Sequence, residues 1–154
     1  MRSGISKEKK VIDGSRMRIG IVVSEFNKQI TLRMLKGAEE TLHENRVAQE
    51  QIDVVWVPGG FEIPLACLRL AEKGTYQALI ALGCIVKGET SHDLYLATAA
   101  TQGIMDVMLR YKIPIGFGVL TTNNLAQAEE RASGGNNKGK EAAEAALTMV
   151  LDHK

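Results

Sequence analysis

The residues best equipped for chemistry fall in short polar, glycine-containing segments: SEFN (Ser24 to Asn27), PGGFE (Pro58 to Glu62), KGETSH (Lys87 to His92), TTNN (Thr121 to Asn124) and RASGGNNKG from Arg131. Gly88, Glu89 and Thr90 run into a predicted helix start, where unpaired backbone N–H groups and the positive dipole end favour an anion. His92 follows directly. An imidazole can take up and return a proton near neutrality, as carbonyl–amine chemistry requires. Gly59 and Gly60 let the backbone pass close to a ligand, and Glu62 is placed to accept hydrogen bonds from sugar-like hydroxyls or to favour a helix dipole. Phe26 offers a flat face to a planar heterocycle, with a core or capping phenylalanine as the plainer alternative. Arg131 and Lys138 bracket a Gly/Asn loop suited to a phosphate; the plainer alternative is a flexible link between helices.

Other chemistries are poorly supplied. Gly134-x-x-x-x-Gly139-Lys140 spells most of a triphosphate-binding loop, but Glu141 stands where a Ser or Thr must hold the metal, and a helix precedes it instead of a strand. There is no GxGxxG, no nucleophile elbow and no metal-spaced histidine set, so no metal is expected. Cys67 and Cys84 have no CxxC or zinc-type spacing and read as small buried apolar residues. His43, mid-helix, and His153, near the end, read as solvated.

The elements that must position these segments follow from the hydrophobic pattern. Arg18–Val23, Ile52–Val57, Ala78–Cys84 and Ile113–Leu120 are apolar on both faces, as in parallel strands covered by helices. Helical patterns alternate with them. The first has Ile30, Met34, Ala38 and Leu42 behind Asn27 as N-cap, and the second runs from Glu62 to Lys73 with Pro64 in its first turn and Gly74 as its stop. The third, His92 to Tyr111, aligns Ala97, Ala100, Ile104, Val107, Met108 and Tyr111, with Thr90 and Asp93 as an expected capping box. Two more follow, Asn124–Ala132 and Lys138–Leu151. The order βαβαβαβαα predicts an α/β fold, a three-layer α/β/α sandwich on a four-stranded parallel sheet with a flavodoxin-like look. Ligands then bind beyond the carboxyl ends of the strands, where the polar segments lie.

With 154 residues, 45% of them apolar, one core is expected: a loose arm over residues 1–16 and a single domain over 17–154. A formal charge of +1 argues against a nucleic-acid partner, so any anion must be held by local charge. The apolar runs are too short for a membrane span. The opening MRSGISKEKK has no apolar stretch behind it, and the expected location is the cytoplasm.

Taken in order over Met17 to Asp152, VPGGFEIP, GETSH and RASGGNNKG resemble the lumazine synthase family of riboflavin biosynthesis. The resemblance implies condensation of 5-amino-6-(D-ribitylamino)uracil with 3,4-dihydroxy-2-butanone 4-phosphate to 6,7-dimethyl-8-ribityllumazine, phosphate and water, with no cofactor. It implies that Phe26 meets the pyrimidine ring, Gly60, Phe61 and Glu62 the ribityl chain, and that Cys84, Ile85 and Val86 form pocket wall. Glu89 and Thr90 would meet the butanone phosphate, and His92 would be the acid/base. Phe117 and Arg131 would arrive from a neighbouring subunit, Arg131 on the phosphate, with Lys138 as a further phosphate contact. It further implies a homo-oligomer, either a pentamer or a sixty-subunit shell, with riboflavin synthase as a further partner. Two positions depart from the family. After the histidine the family usually has an aromatic and then an acid, whereas this chain reads His92, Asp93, Leu94, Tyr95; and the loop after Arg131 is one residue shorter. Two other readings stay open: a non-catalytic flavin- or lumazine-binding module, and an archaeal-type riboflavin synthase.

Overall fold

A computed structural model describes residues 10–151. The first nine residues of the expected arm, and His153, lie outside the described residues. Four strands, β1 (Ile19–Ser24), β2 (Ile52–Val57), β3 (Ala78–Val86) and β4 (Ile115–Thr122), form one parallel sheet in the order β2-β1-β3-β4. The helices are α1 (Lys28–Glu44), α2 (Ile63–Glu72), α3 (His92–Tyr111), α4 (Leu125–Arg131) and α5 (Lys138–Leu151). This is the three-layer α/β arrangement read from the hydrophobic pattern.

Strand order explains the layering. The chain steps from β1 outward to β2, then back across β1 to β3, and right-handed crossovers in opposite directions put α1 and α2 on opposite faces. α3 continues in the direction of α2 and packs beside it; α5 returns against α1. Alternate strand residues serve the two layers. Ile19, Ile21 and Val23 of β1, with Ile80, Leu82 and Cys84 of β3, join Ile30, Met34, Leu42, Ala143 and Leu147. Val22, Leu79, Ala81 and Ile85 join Ile63, Cys67, Leu70, Ile104 and Val107 on the other side. The reversal of strand order between β1 and β3 opens a crevice at their carboxyl ends, where a doubly wound sheet binds its ligand.

Boundaries moved by a few residues for local reasons. β4 starts at Ile115 because Pro114, which has no N–H to give the ladder, offers only its carbonyl, to Leu79 N at 2.8 Å. β3 runs two residues past Cys84 because Ile85 and Val86 pair with Thr121 and Thr122. Gly74, at φ 67°, ends the α2 segment as expected. Asn27 does precede α1, but its side chain makes no cap bond; it sits left-handed at φ 57° and donates Nδ2–H to the Cys84 carbonyl at 3.0 Å. Within the described part of the arm, Ile12 N donates to Asn45 Oδ1 and Gly14 N to the Asn45 carbonyl, at 2.8 and 2.7 Å.

Candidate functional site

Beyond the sheet, hydrogen bonds zip the post-strand segments together. Glu25 N donates to the Val57 carbonyl at 2.7 Å and Phe26 N to the Pro58 carbonyl at 3.1 Å, carrying the β1–β2 pairing past its last strand residues. With Asn27 tied to Cys84, three strand ends form one rim. Behind it lies a cleft of about 780 Å³, within the usual range of small-molecule sites.

Of the residues singled out from sequence, Phe26, Gly60, Phe61, Glu62, Cys84, Ile85, Val86, Thr90 and His92 line this cleft. Phe26 and Phe61 are 69% and 68% exposed. Leaving a phenylalanine in water forgoes roughly 1.5–3 kcal/mol of burial, so two open rings on one cleft call for something flat to cover them. Glu62 Oε2 accepts from Gly59 N at 3.1 Å and closes the glycine turn, with the rest of the carboxylate open to the cleft. Cys84 is buried on the floor, and burial pushes its thiol up to about 11. Cys67, deeper in the core, is pushed up to about 12 for the same reason. Neither thiol is a nucleophile near neutrality.

The start of α3 differs from the expected capping box. Ser91 occupies the cap position and gives no side-chain bond, while Thr90 Oγ1 accepts from His92 N at 3.3 Å. The threonine closes a tight local turn on the first N–H of α3 instead of reaching N3, and the N-cap side chain of Ser91 gives the helix no bond. His92 opens that turn and is exposed.

Sequence reasoning missed Tyr95, Leu96 and Ala99 as cleft residues. They stand three, four and seven residues after His92, the spacing of one helix face, so the signal was present once His92 was suspected. Asp93 also lines the cleft, whereas Leu94 is exposed and does not.

Glu89, Phe117, Arg131 and Lys138 do not line the cleft. Phe117 lies on β4, the sheet edge, and is exposed. Arg131 ends α4 with Nη1 donating to the Gln127 carbonyl at 3.1 Å, and Lys138 Nζ pairs with Glu141 Oε2 at 2.8 Å at the start of α5. Among the described residues no lysine or arginine lines the cleft, so within one chain an anion there meets no fixed cation.

The family model described as 6,7-dimethyl-8-ribityllumazine synthase matches residues 16–154. A protein of that name from Pediococcus pentosaceus is 45% identical over 139 residues, covering 90% of this chain and 89% of its own. Another of that name, from Parabacteroides distasonis, is 49% identical over 141 residues, covering 91% and 88%. A de novo designed Rossmann fold protein superposes at TM-score 0.42 and 16% identity over 74% of this chain and 92% of its own, a likeness too loose to build on. Matched along nearly its whole length to the family and its relatives, the chain belongs to the 6,7-dimethyl-8-ribityllumazine synthase family.

Proposed function

We propose that the protein is an enzyme of riboflavin biosynthesis that condenses 5-amino-6-(D-ribitylamino)uracil with 3,4-dihydroxy-2-butanone 4-phosphate. The observation that carries this reading is the cleft: open aromatic rings, a glycine turn with a carboxylate, and a histidine at a helix start, in a chain of this family. The pyrimidine stacks on Phe26 against the wall of Cys84, Ile85 and Val86. The ribityl hydroxyls run along Gly60 and Phe61 to the free side of Glu62. The phosphate of the second substrate lies at Glu89 and Thr90, facing the start of α3.

The 5-amino group attacks the ketone and loses water to form an imine. Elimination then releases phosphate, and the ribityl-bearing nitrogen closes the ring with loss of a second water. His92 carries protons through these steps. Holding two substrates face to face supplies much of the acceleration, since orientation alone is worth several kcal/mol.

A departing phosphate needs cations that the single-chain cleft lacks. We place Arg131, Phe117 and Lys138 of a neighbouring copy at its open side, which makes each site shared and the enzyme a homo-oligomer. A ring of five 16.8 kDa chains comes to about 84 kDa, and twelve such rings would make the sixty-subunit shell. The two buried free thiols suit a reducing cytoplasm.

The test incubates purified protein with both substrates together, with each alone and with lumazine alone, following product absorbance. Lumazine formed only from the pair is expected. Riboflavin formed from lumazine alone would favour the riboflavin synthase reading, and ligand binding without turnover would favour a binding module.

A further inference from the structure

Asn137 is 5% exposed and has every hydrogen-bonding direction of its amide in use. Its Nδ2 donates to the Arg33 carbonyl on α1 and to the Ala132 carbonyl just past α4, both at 3.1 Å. Its Oδ1 accepts from Gly139 N at 2.8 Å and Lys140 N at 3.3 Å, capping α5. One side chain therefore binds together α1, the end of α4 and the start of α5. The neighbours make room for it. A Cβ on Gly37 of α1 would come within 2.6 Å of the amide, and one on Gly139 would collide with the Met34 carbonyl.

Capping α5 does not require this arrangement. Ser or Asp would supply the oxygen equally well, but ionised Asp has no donor and Ser a single hydroxyl, so neither could donate to both carbonyls. The amide's NH₂ does a second job, on the residue that directly follows Arg131. The intervening Ser133 to Asn136 is exposed, with Gly134 at φ 53°, and its hydrogen bonds, Ser133 Oγ to the Glu129 carbonyl, Asn136 N to the Ser133 carbonyl and Asn137 N to the Gly134 carbonyl, stay within the end of α4 and the loop, so none of them ties Ala132 to α1. Asn137 bypasses that loop with a direct tie from Ala132 to α1.

We propose that Asn137 is a positioning residue for Arg131, fixing the backbone from which the guanidinium reaches the substrate phosphate. This rests on the reading of Arg131 given above. A forked donor set must meet phosphate oxygens at a fixed distance and angle, so a small shift of its helix end costs affinity for the phosphorylated substrate alone.

The test uses Asn137→Ser, which keeps a cap oxygen for α5 and removes the two donors, and compares the KM of each substrate in the wild-type and Arg131→Ala backgrounds. Expected is a rise of roughly three- to tenfold in KM for the butanone phosphate, with KM for the ribitylaminouracil within about twofold, and no such rise once Arg131 is gone. An equal rise for both substrates, an undiminished rise in the Arg131→Ala background, or no rise in a folded variant overturns the proposal. Should Asn137→Ser not fold, Gly37→Ala keeps the amide and displaces it, and the same measurements on that variant decide with the same criteria. If Arg131→Ala by itself leaves KM for the phosphorylated substrate unchanged, the reading of Arg131 falls and this proposal falls with it; a failure confined to Asn137 leaves that reading standing.

Discussion

The cleft and the β4–α4–α5 edge are built on opposite plans. The cleft has volume, two open phenylalanines, two acids and a histidine, and its side chains are lightly held: Phe26, Phe61 and His92 all stand exposed. The edge has the cations, and the loop that follows Arg131 is tied into the interior by four hydrogen bonds from one buried amide. Rings can settle against a flat ligand as it arrives, whereas a cation meant for a phosphate gains most when its position is fixed beforehand. Under the proposed function, neither region is a complete site by itself. Among the described residues no lysine or arginine lines the cleft, and Arg131 and Lys138 do not reach it.

The largest expected effect comes from breaking one region at a time and recombining them. His92→Ala should fold normally and lose about 10²-fold in kcat, the typical contribution of a positioned acid/base. Co-assembled in equal amounts with Arg131→Ala and assayed at limiting butanone phosphate, it should recover to about a quarter of wild-type activity, because one in four shared pockets then draws both intact halves. No recovery in verified mixed oligomers would mean that each chain contains its own site.

Next in size is Arg131→Ala alone. Loss of a charge-assisted contact worth about 1.5–3 kcal/mol should raise KM for the butanone phosphate roughly ten- to a hundredfold, with KM for the pyrimidine within about twofold. Steady-state kinetics with each substrate varied in turn reads this; equal effects on both would make Arg131 structural.

How much of this was legible in the sequence differs between the same two regions. Runs apolar on both faces made the four strands readable, and the glycine and polar residues after them marked the cleft, because strand ends leave few other roles for PGGFE or KGETSH. The caps were read less well. Asn27 and Thr90 are of the right types in the right places, yet each spends its side chain elsewhere, Asn27 across the sheet on Cys84 and Thr90 on the next turn. Competition between local and distant acceptors is settled by tertiary geometry, which a residue type does not encode. Tyr95 and Ala99 had the helical spacing but no chemical mark to draw attention. Asn137 was invisible as an anchor because its partners on Arg33 and Ala132 are backbone carbonyls that any residue could supply.

A smaller effect tests the cleft's apolar plan. Phe26→Ala should raise KM for the ribitylaminouracil roughly three- to tenfold, matching the 0.5–1.5 kcal/mol that aromatic contacts add, and should barely move KM for the butanone phosphate. Since the ring is already exposed, the melting temperature should hold; a drop of many degrees would show that Phe26 is a structural residue after all.

The smallest effect is expected at the opposite end of the sheet, which serves as the control for both regions. There Arg18 Nε and Nη2 donate to Asp53 Oδ2 and Oδ1 at 2.9 and 3.1 Å, and the Tyr76 hydroxyl donates to Oδ2 at 2.7 Å. The Tyr76 hydroxyl chiefly holds the Asp53 carboxyl below its usual range; burial, next in size, opposes it, and Arg18 and then Lys73 add to the lowering. A carboxylate whose folded pKa lies below its unfolded value of about 3.9 stabilises the fold above that pH, and the contribution is lost as pH falls through the folded value. The side chains of Arg18 and Asp53 are 45% and 37% exposed, so water and salt screen most of the interaction. Asp53→Asn should therefore lower the melting temperature by only about 1–2 °C at neutral pH, with the gap to wild type closing as the pH falls through the lowered pKa of the folded carboxylate. Melting curves across that range give the stability, and kinetics at neutral pH should show both KM values and kcat unchanged. A change in either KM would mean that this end of the sheet communicates with the cleft, and a gap that persists in acid would mean that the substitution disturbs packing and that the lost charge is not the cause.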